Sequence, residues 1–308
     1  MSRDGAGTVL VVGATGFIGC HCADQLEAAG RTVIRASRGG READIECDLM
    51  RPESVRGALE QSRPDAVVLA AGISSVGAAW EEPEAAFEMN TWGTFNLLEA
   101  VRDAAPECHL LFASSGAVYG ATAGAPTERE PVRPASPYAA SKAAADLLCS
   151  QYAREHGVAI TVVRMFNQVG PGQPSSQAPS EFAREIARAE GRGDAKLELE
   201  VGNPSAERDY TDVRDTARAW EDLIERRATG LFNLCSGRTA GLEAIIDGLA
   251  GNSPVEVEMK VRPGRAHPAD PPKVAGSNRK LSTATGWQPE IPLAESLADL
   301  LADWRRRI

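Results

Sequence analysis

A doubly wound α/β fold, with a parallel sheet wrapped by helices on both faces and a smaller C-terminal lobe, is what this 308-residue sequence predicts. Three observations predict it. Short β-branched runs alternate with longer helical stretches, the order of βαβ units. Those runs are apolar almost throughout, as strands covered on both faces are. After about Asn167 the texture changes to the Gly/Pro/Ser-rich GPGQPSSQAPS, which marks the passage to a second unit.

The first strand is TVLVV (8–12), followed at once by a helix near 17–29. RTVIRA (31–36) is the second strand, and a helix near 52–61 leads to AVVLA (66–70). One long helix near 83–105 reaches HLLFA (109–113), and another near 137–156 reaches AITVVR (159–164). Beyond the linker, a helix near 179–190 and a strand near 196–201 belong to the smaller lobe. A helix at 213–226 and the strand LFNL (231–234) return to the main sheet. Leu293, Leu297, Leu300 and Trp304 recur at helical spacing, so the chain closes with a packed amphipathic helix. The division is therefore discontinuous: residues 1–166 completed by 213–235, against 167–212 and 236–308.

With 43% hydrophobic residues the chain can fill a substantial core. Its net charge of -10 argues against nucleic acid as a partner, because phosphate backbones demand clustered Lys and Arg. No apolar run approaches the roughly 20 residues of a membrane span. The opening MSRDGAGT has no basic and greasy leader pattern, so a cytoplasmic protein is expected. The six cysteines form no C-x-x-C pair. Cys20, His21 and Cys22 adjoin at the start of a helix, where neighbouring side chains diverge, and no metal is expected there.

In TVLVVGATGFIG, Gly13, Gly16 and Gly19 follow a strand and open a helix. Glycine there permits a tight turn and close backbone approach to a pyrophosphate, the Rossmann-type arrangement. Thr15, Phe17 and Ile18 complete that turn as cofactor contacts. At the end of the second strand an NAD-binding protein commonly places Asp or Glu on the ribose. This chain reads RASR instead. Ser37 leaves no carboxylate to repel a 2′-phosphate and Arg38 supplies a forked cation for it, which favours NADP (NADPH) over NAD. Otherwise Arg35 and Arg38 are only solvated charges. Asp48 and Leu49 are expected near the adenine, and Ala70, Ala71 and Gly72 where the dinucleotide crosses the sheet edge.

SPYAASK sets Tyr138 and Lys142 four apart on one helix face, and FASSGAVYG supplies Ser114 and Ser115. With the glycine loop, these motifs resemble the extended short-chain dehydrogenase/reductase family over nearly the whole chain. The resemblance implies that Ser115, Tyr138 and Lys142 are catalytic, with Tyr138 and Lys142 also touching the cofactor and Asn90 of MNTWGT beside it. The Tyr138 pKa would have to fall by roughly three units, about 4 kcal/mol, to exchange protons freely at neutral pH. A neighbouring ammonium pushes in that direction.

RMFNQVGPGQ (164–173) and RDYTDVRD (208–215) resemble the nucleotide-sugar branch, especially GDP-4-keto-6-deoxymannose reductases with their dehydratase and epimerase relatives. This implies a dTDP- or GDP-linked sugar held by Ser114, Ser115, Asn167 at its diphosphate region and Arg208 at a phosphate. The blander reading makes Asn167 a loop stiffener and Arg208–Asp209 a surface pair. In RPGRAHPADPP either Arg262 or Arg265 takes the place of the family's phosphate-binding arginine, and one alignment puts His267 there.

Dehydratases of the branch carry an acid just after the catalytic Ser/Thr, where this chain has Gly116 and Ala117. That leaves chemistry needing a hydride and an alcohol proton. The expectation is an NADPH-dependent reductase of a nucleotide-linked 4-keto-6-deoxyhexose; the alternatives are a 4-epimerase using bound NAD and a non-catalytic redox-sensing binding protein. The resemblance and the alanine-rich YAASKAAADLL also imply a homodimer through the helices near 83–105 and 137–156.

Overall fold

The structure, a computed structural model, describes residues 7–39, 42–262 and 272–308. Strand β1 (Thr8–Val12) turns through Gly13 into α1 (Phe17–Ala28). The next two strands, β2 (Thr32–Ser37) and β3 (Ile45–Glu46), precede α2 (Pro52–Ser62), whose proline sits where a helix needs no amide donor. Next come β4 (Ala66–Leu69), then α3 (Val76–Glu81), capped by the Ser75 hydroxyl, and α4 (Pro83–Phe87). A π-helical turn at Glu88–Trp92 joins α4 to α5 (Gly93–Ala104). The single helix expected over 83–105 is thus interrupted. The wider turn swings Asn90 inward to 1% exposure, the kind of defect that marks functional sites.

Strand β5 (His109–Ser115) ends in a 3-10 turn at Gly116–Tyr119; α6 (Pro137–Glu155), capped by Ser136, leads to β6 (Ala159–Met165). The chain continues as β7 (Asn167–Val169), α7 (Ala178–Arg192), β8 (Lys196–Val201), β9 (Glu207–Asp212), α8 (Val213–Glu225) and β10 (Gly230–Leu234). Last are β11 (Thr239–Gly241), α9 (Leu242–Ala250), β12 (Glu256–Val261), β13 (Lys273–Val274), α10 (Arg279–Thr285) and α11 (Leu293–Arg307).

Seven parallel strands form the main sheet in the order β10-β6-β5-β4-β1-β2-β3. The winding reverses between β1 and β4, so a crevice opens at their carboxyl ends, where such sheets bind ligands. One core lies between the sheet and α2, α5 and α6, centred on Leu10, Leu97, Leu110 and Tyr152. The other holds α1 and α8 against the opposite face through Leu26, Val68, Trp220 and Leu223. A separate core joins α7, α9 and α11 through Phe182, Ile186, Leu249, Leu297, Leu300 and Trp304. It packs over β7 and the parallel pair β8 and β12, giving the C-terminal lobe an apolar centre of its own.

Candidate active site

The glycine turn is shaped by contact. Gly13 has φ +89°, and a Cβ there would lie 2.6 Å from the Ala71 amide nitrogen. One on Gly19 would lie 2.2 Å from the Gly13 carbonyl. The turn after β1 is therefore pressed against the Ala70–Gly72 turn after β4, and only hydrogen fits between them. Gly16 is the N-cap of α1 and brings no side chain to it, and no acidic residue occupies the first helical turn. An anion meets free N–H groups there. Ile18 lines the cleft beyond, Thr15 is exposed, and Phe17 meets His21 edge-on at 5.8 Å. His21 bonds to the Pro171 carbonyl at 2.8 Å while Cys22 is buried and Cys20 exposed, so the three side chains diverge.

At the end of β2 the two arginines differ. Arg35 is held on α1 by Asp24 at 2.7 Å and Glu27 at 3.0 Å. Arg38 is exposed beyond Ser37 and makes no ion pair among the described residues. A free forked cation next to a short hydroxyl fits a 2′-phosphate, and the built-in glycine cradle fits the dinucleotide that carries it. The Asp48 carboxylate accepts from the Met50 amide at 3.0 Å and lies 3.4 Å from Arg51. Leu49 is buried, its carbonyl held by Asn96 at 2.8 Å.

Ser115 closes β5, and its Oγ accepts from the Ala117 amide at 3.1 Å, which leaves its own hydrogen to donate. Tyr138 lies in the first turn of α6 with its ring among Ala79, Ala86, Val76 and Ala117, and its hydroxyl lies beside Ser115. Lys142, one turn on, donates from Nζ to the Ala113 carbonyl at 2.8 Å. Burial raises the Tyr138 pKa, Ser115 opposes this only in part, and the Asp146 carboxylate adds to the rise. The lysine is the group brought down, to about 8, by burial. The protein alone therefore keeps the phenol protonated.

Asn90 is committed to the protein rather than to a ligand. Its Oδ1 accepts from the Ile73 amide at 2.9 Å, and its Nδ2 donates to the Ile73 carbonyl at 3.1 Å and to Ser141 Oγ at 3.0 Å. It clamps the turn after β4 onto α6, and a Cβ on Gly72 (φ +154°) would lie 2.6 Å from its Oδ1.

Ser115, Tyr138 and Lys142 line a cleft of about 980 Å³ together with Asn167, Arg208 and Tyr210 from the C-terminal side. Parallel pairing of β7 with β9 sets Asn167 opposite Tyr210, with the Asn167 side chain near the phenol. Arg208 Nη1 donates to the Glu207 carbonyl at 2.9 Å. Asp209 is not its surface partner: buried, it accepts from Ser236 and Gly237 amides at 2.8 and 2.9 Å. Ser114, 2% exposed, lines the cleft beside Ser115, with the Asp146 carboxyl near its hydroxyl. Arg262 is gripped by Glu200 at 2.8 and 2.7 Å and is not in the cleft wall. Arg265 and His267 lie outside the described residues. The cleft also takes in Gln173, at the end of RMFNQVGPGQ, and Ser75, Trp80 and Glu81 of the α3 segment with Gln177 of the linker, which no motif had signalled.

The missing acid has a steric reason. A Cβ on Gly116 would lie 2.9 Å from the Phe166 ring, so the place of a carboxylate is packed shut. Gly116→Asp is expected to destabilise the fold by about 1–3 kcal/mol through overpacking, without creating dehydratase activity. A melting temperature equal to wild type by scanning calorimetry would contradict this.

A glycine turn at the switch point of a parallel sheet and a Ser–Tyr–Lys row along its carboxyl edge define a nicotinamide-dependent oxidoreductase fold of the short-chain type. Residues 9–235 match the NAD dependent epimerase/dehydratase family, and the chain belongs to that family. It is 36% identical to the GDP-6-deoxy-D-mannose reductase of Pseudomonas aeruginosa, over 97% of this chain and 98% of the relative. It is 31% identical to UDP-glucose 4-epimerase 4 of Oryza sativa subsp. japonica, over 95% and 88%. Among solved structures, RMD from Pseudomonas aeruginosa complexed with NADPH superposes with a TM-score of 0.87 at 35% identity, covering 98% of this chain and 100% of that one. The Thermus thermophilus UDP-glucose 4-epimerase complex with NAD gives 0.86 at 30% identity, covering 98% and 100%.

Proposed function

We propose that the protein is an NADPH-dependent reductase of a nucleotide-linked 4-keto-6-deoxyhexose. The observation that carries this is the protonated, buried Tyr138 beside Ser115 with Phe166 filling the place of any acid. A reductase needs a proton donor and no base at carbon, which is what this pair supplies. The likeness to a GDP-6-deoxy-D-mannose reductase and to an NADPH complex supports the same reading. Bound NADPH supplies the hydride to the C4 carbonyl. Ser115 donates to the carbonyl oxygen and orients it toward Tyr138. Tyr138 gives its phenolic proton to that oxygen as charge develops, and Lys142, cationic near neutrality, stabilises the phenolate left behind. Asn167, Tyr210 and Arg208 hold the diphosphate end; residues 167–212 and 236–308 would be the substrate lobe, with its own core. Following NADPH absorbance with GDP- and dTDP-linked 4-keto-6-deoxyhexoses tests the proposal, and stoichiometric NAD carried through purification would instead favour the 4-epimerase.

Cofactor choice has its own test. Arg38→Ala is expected to weaken NADPH binding by about 10- to 100-fold, the worth of a charge-assisted pair, and to leave NADH within about threefold. Equal losses for both in a fluorescence titration would remove Arg38 from the 2′-phosphate.

A cytoplasmic homodimer is part of the same reading. Trp92 and Leu147 are 60% and 69% exposed on the π-turn and on α6, beside an exposed Phe87, and such apolar side chains call for a partner. The double variant Trp92→Glu/Leu147→Glu is expected to sediment as a monomer where wild type sediments as a dimer.

A further inference from the structure

We propose that Asp146, clamped by Arg164, is a positioning residue that keeps Lys142 cationic and so sets the upper pH at which the Ser–Tyr–Lys row works. Tyr138, Lys142, Asp146 and Cys149 fall at four-, four- and three-residue steps along one face of α6, and none is more than 9% exposed. An ammonium buried to 5% exposure has lost its water and needs an anion or it gives up its proton.

The neighbours of Lys142 leave few candidates. From β5 it meets the neutral Ala113 carbonyl and the Phe112 ring, 5.1 Å away. From the turn after β4 it meets Gly72, held by the neutral Asn90 amide. On α6, Tyr138 is protonated, and burial raises the Cys149 thiol well above its usual range. Asp146 is the remaining group, and its charge is the largest influence opposing the loss of the lysine's proton.

Burial pulls Asp146 itself toward the protonated form, and its own neighbours oppose this. Arg164 of β6 donates from Nε to Oδ2 at 2.7 Å, with both side chains only 6–7% exposed. Its guanidinium lies over the Tyr119 ring at 4.7 Å, and Tyr119 is fixed by donating to Asn233 Oδ1 at 2.7 Å. Burial raises the Asp146 carboxyl and Arg164 chiefly lowers it. Oδ1 makes no hydrogen bond among the described residues, and the Ser114 hydroxyl lies near the carboxylate. One carboxylate therefore serves two cations, one locked to it and one poised in the cleft. A pair present only for stability would have no need of a second cation one helical turn away.

The catalytic meaning of Lys142 rests on the proposed function; its ionisation does not, and the test separates the two. Protein labelled with 13C at lysine Cε is titrated by NMR, with the Lys142 signal assigned through Lys142→Arg. Asp146→Asn is expected to move the Lys142 midpoint down by at least about one pH unit, and Asp146→Glu to restore it. Arg164→Gln, which removes the cation that keeps Asp146 ionised, is expected to move it down as well, and it decides the matter should Asp146→Asn not fold. In NADPH-consuming turnover the alkaline limb is expected to move with the Asp146→Asn midpoint while the rate near pH 6 stays within a few-fold. Unmoved Lys142 midpoints in the variants that fold, or a loss of rate uniform across pH, overturn the proposal. Absence of ketosugar turnover in wild type overturns the proposed function alone, since the titration still reads Lys142.

Discussion

Tyr138→Phe is expected to cut ketosugar reduction by about 10²- to 10⁴-fold, the usual worth of a positioned proton donor and about 3–5 kcal/mol of barrier, with NADPH affinity within about twofold. The fold has no reason to fail. The ring sits in a slot of Ala79, Ala86, Val76 and Ala117 that phenylalanine fills equally well, and the hydroxyl's protein partner, Ser115, keeps its bond from the Ala117 amide. What is lost is a proton, not a contact surface. Because burial holds the phenol above its ordinary pKa, the wild-type rate is expected to stay flat from pH 6 to 7.5 instead of rising as a base deprotonates. Stopped-flow NADPH absorbance with saturating ketosugar measures both. Turnover that survives the substitution would take Tyr138 out of the chemistry.

Much of this site was legible because its geometry is local. Gly13, Gly16 and Gly19 are steps of one turn, and Tyr138 and Lys142 are neighbours on one helix face, so spacing alone placed them. Strands β1, β4, β5 and β6 are apolar on both faces, which betrays a sheet covered twice. The failures are all non-local. Arg262 reads as a phosphate ligand until β12 pairs with β8 and brings Glu200, 62 residues away, beside it. Asn90 was found by motif, but its clamp on Ile73 and Ser141 depends on a π-turn that periodicity reads as plain helix. The rise that burial imposes on the Tyr138 phenol was equally out of reach: a sequence shows which cation is near, not how much water has gone.

A second large effect is expected far from the cleft, at His109. It opens β5 at 1% exposure, and its Nε2 lies 2.7 Å from Thr161 Oγ1. The Thr161 hydroxyl spends its hydrogen on the Ala228 carbonyl, so Nε2 must be the donor to Thr161 and Nδ1 carries the bare lone pair. Nδ1 has no partner among the described residues, and a proton placed there would create an imidazolium in the core with none of them to accept from it. Burial, with the nearby Arg227 charge, accordingly lowers the His109 pKa to about 4. Above the unfolded value near 6.5 the ring is neutral in both states and adds no pH dependence. Between 6.5 and about 4 the unfolded chain binds a proton that the folded chain refuses, so stability falls with pH. The gap amounts to about 3 kcal/mol once pH is below both values. His109→Gln retains a donor for Thr161 and lacks the titration. Its urea-unfolding free energy is therefore expected to lose about 3 kcal/mol less than wild type between pH 7 and pH 4. Parallel curves for the two proteins would show that the ring accepts its proton while folded.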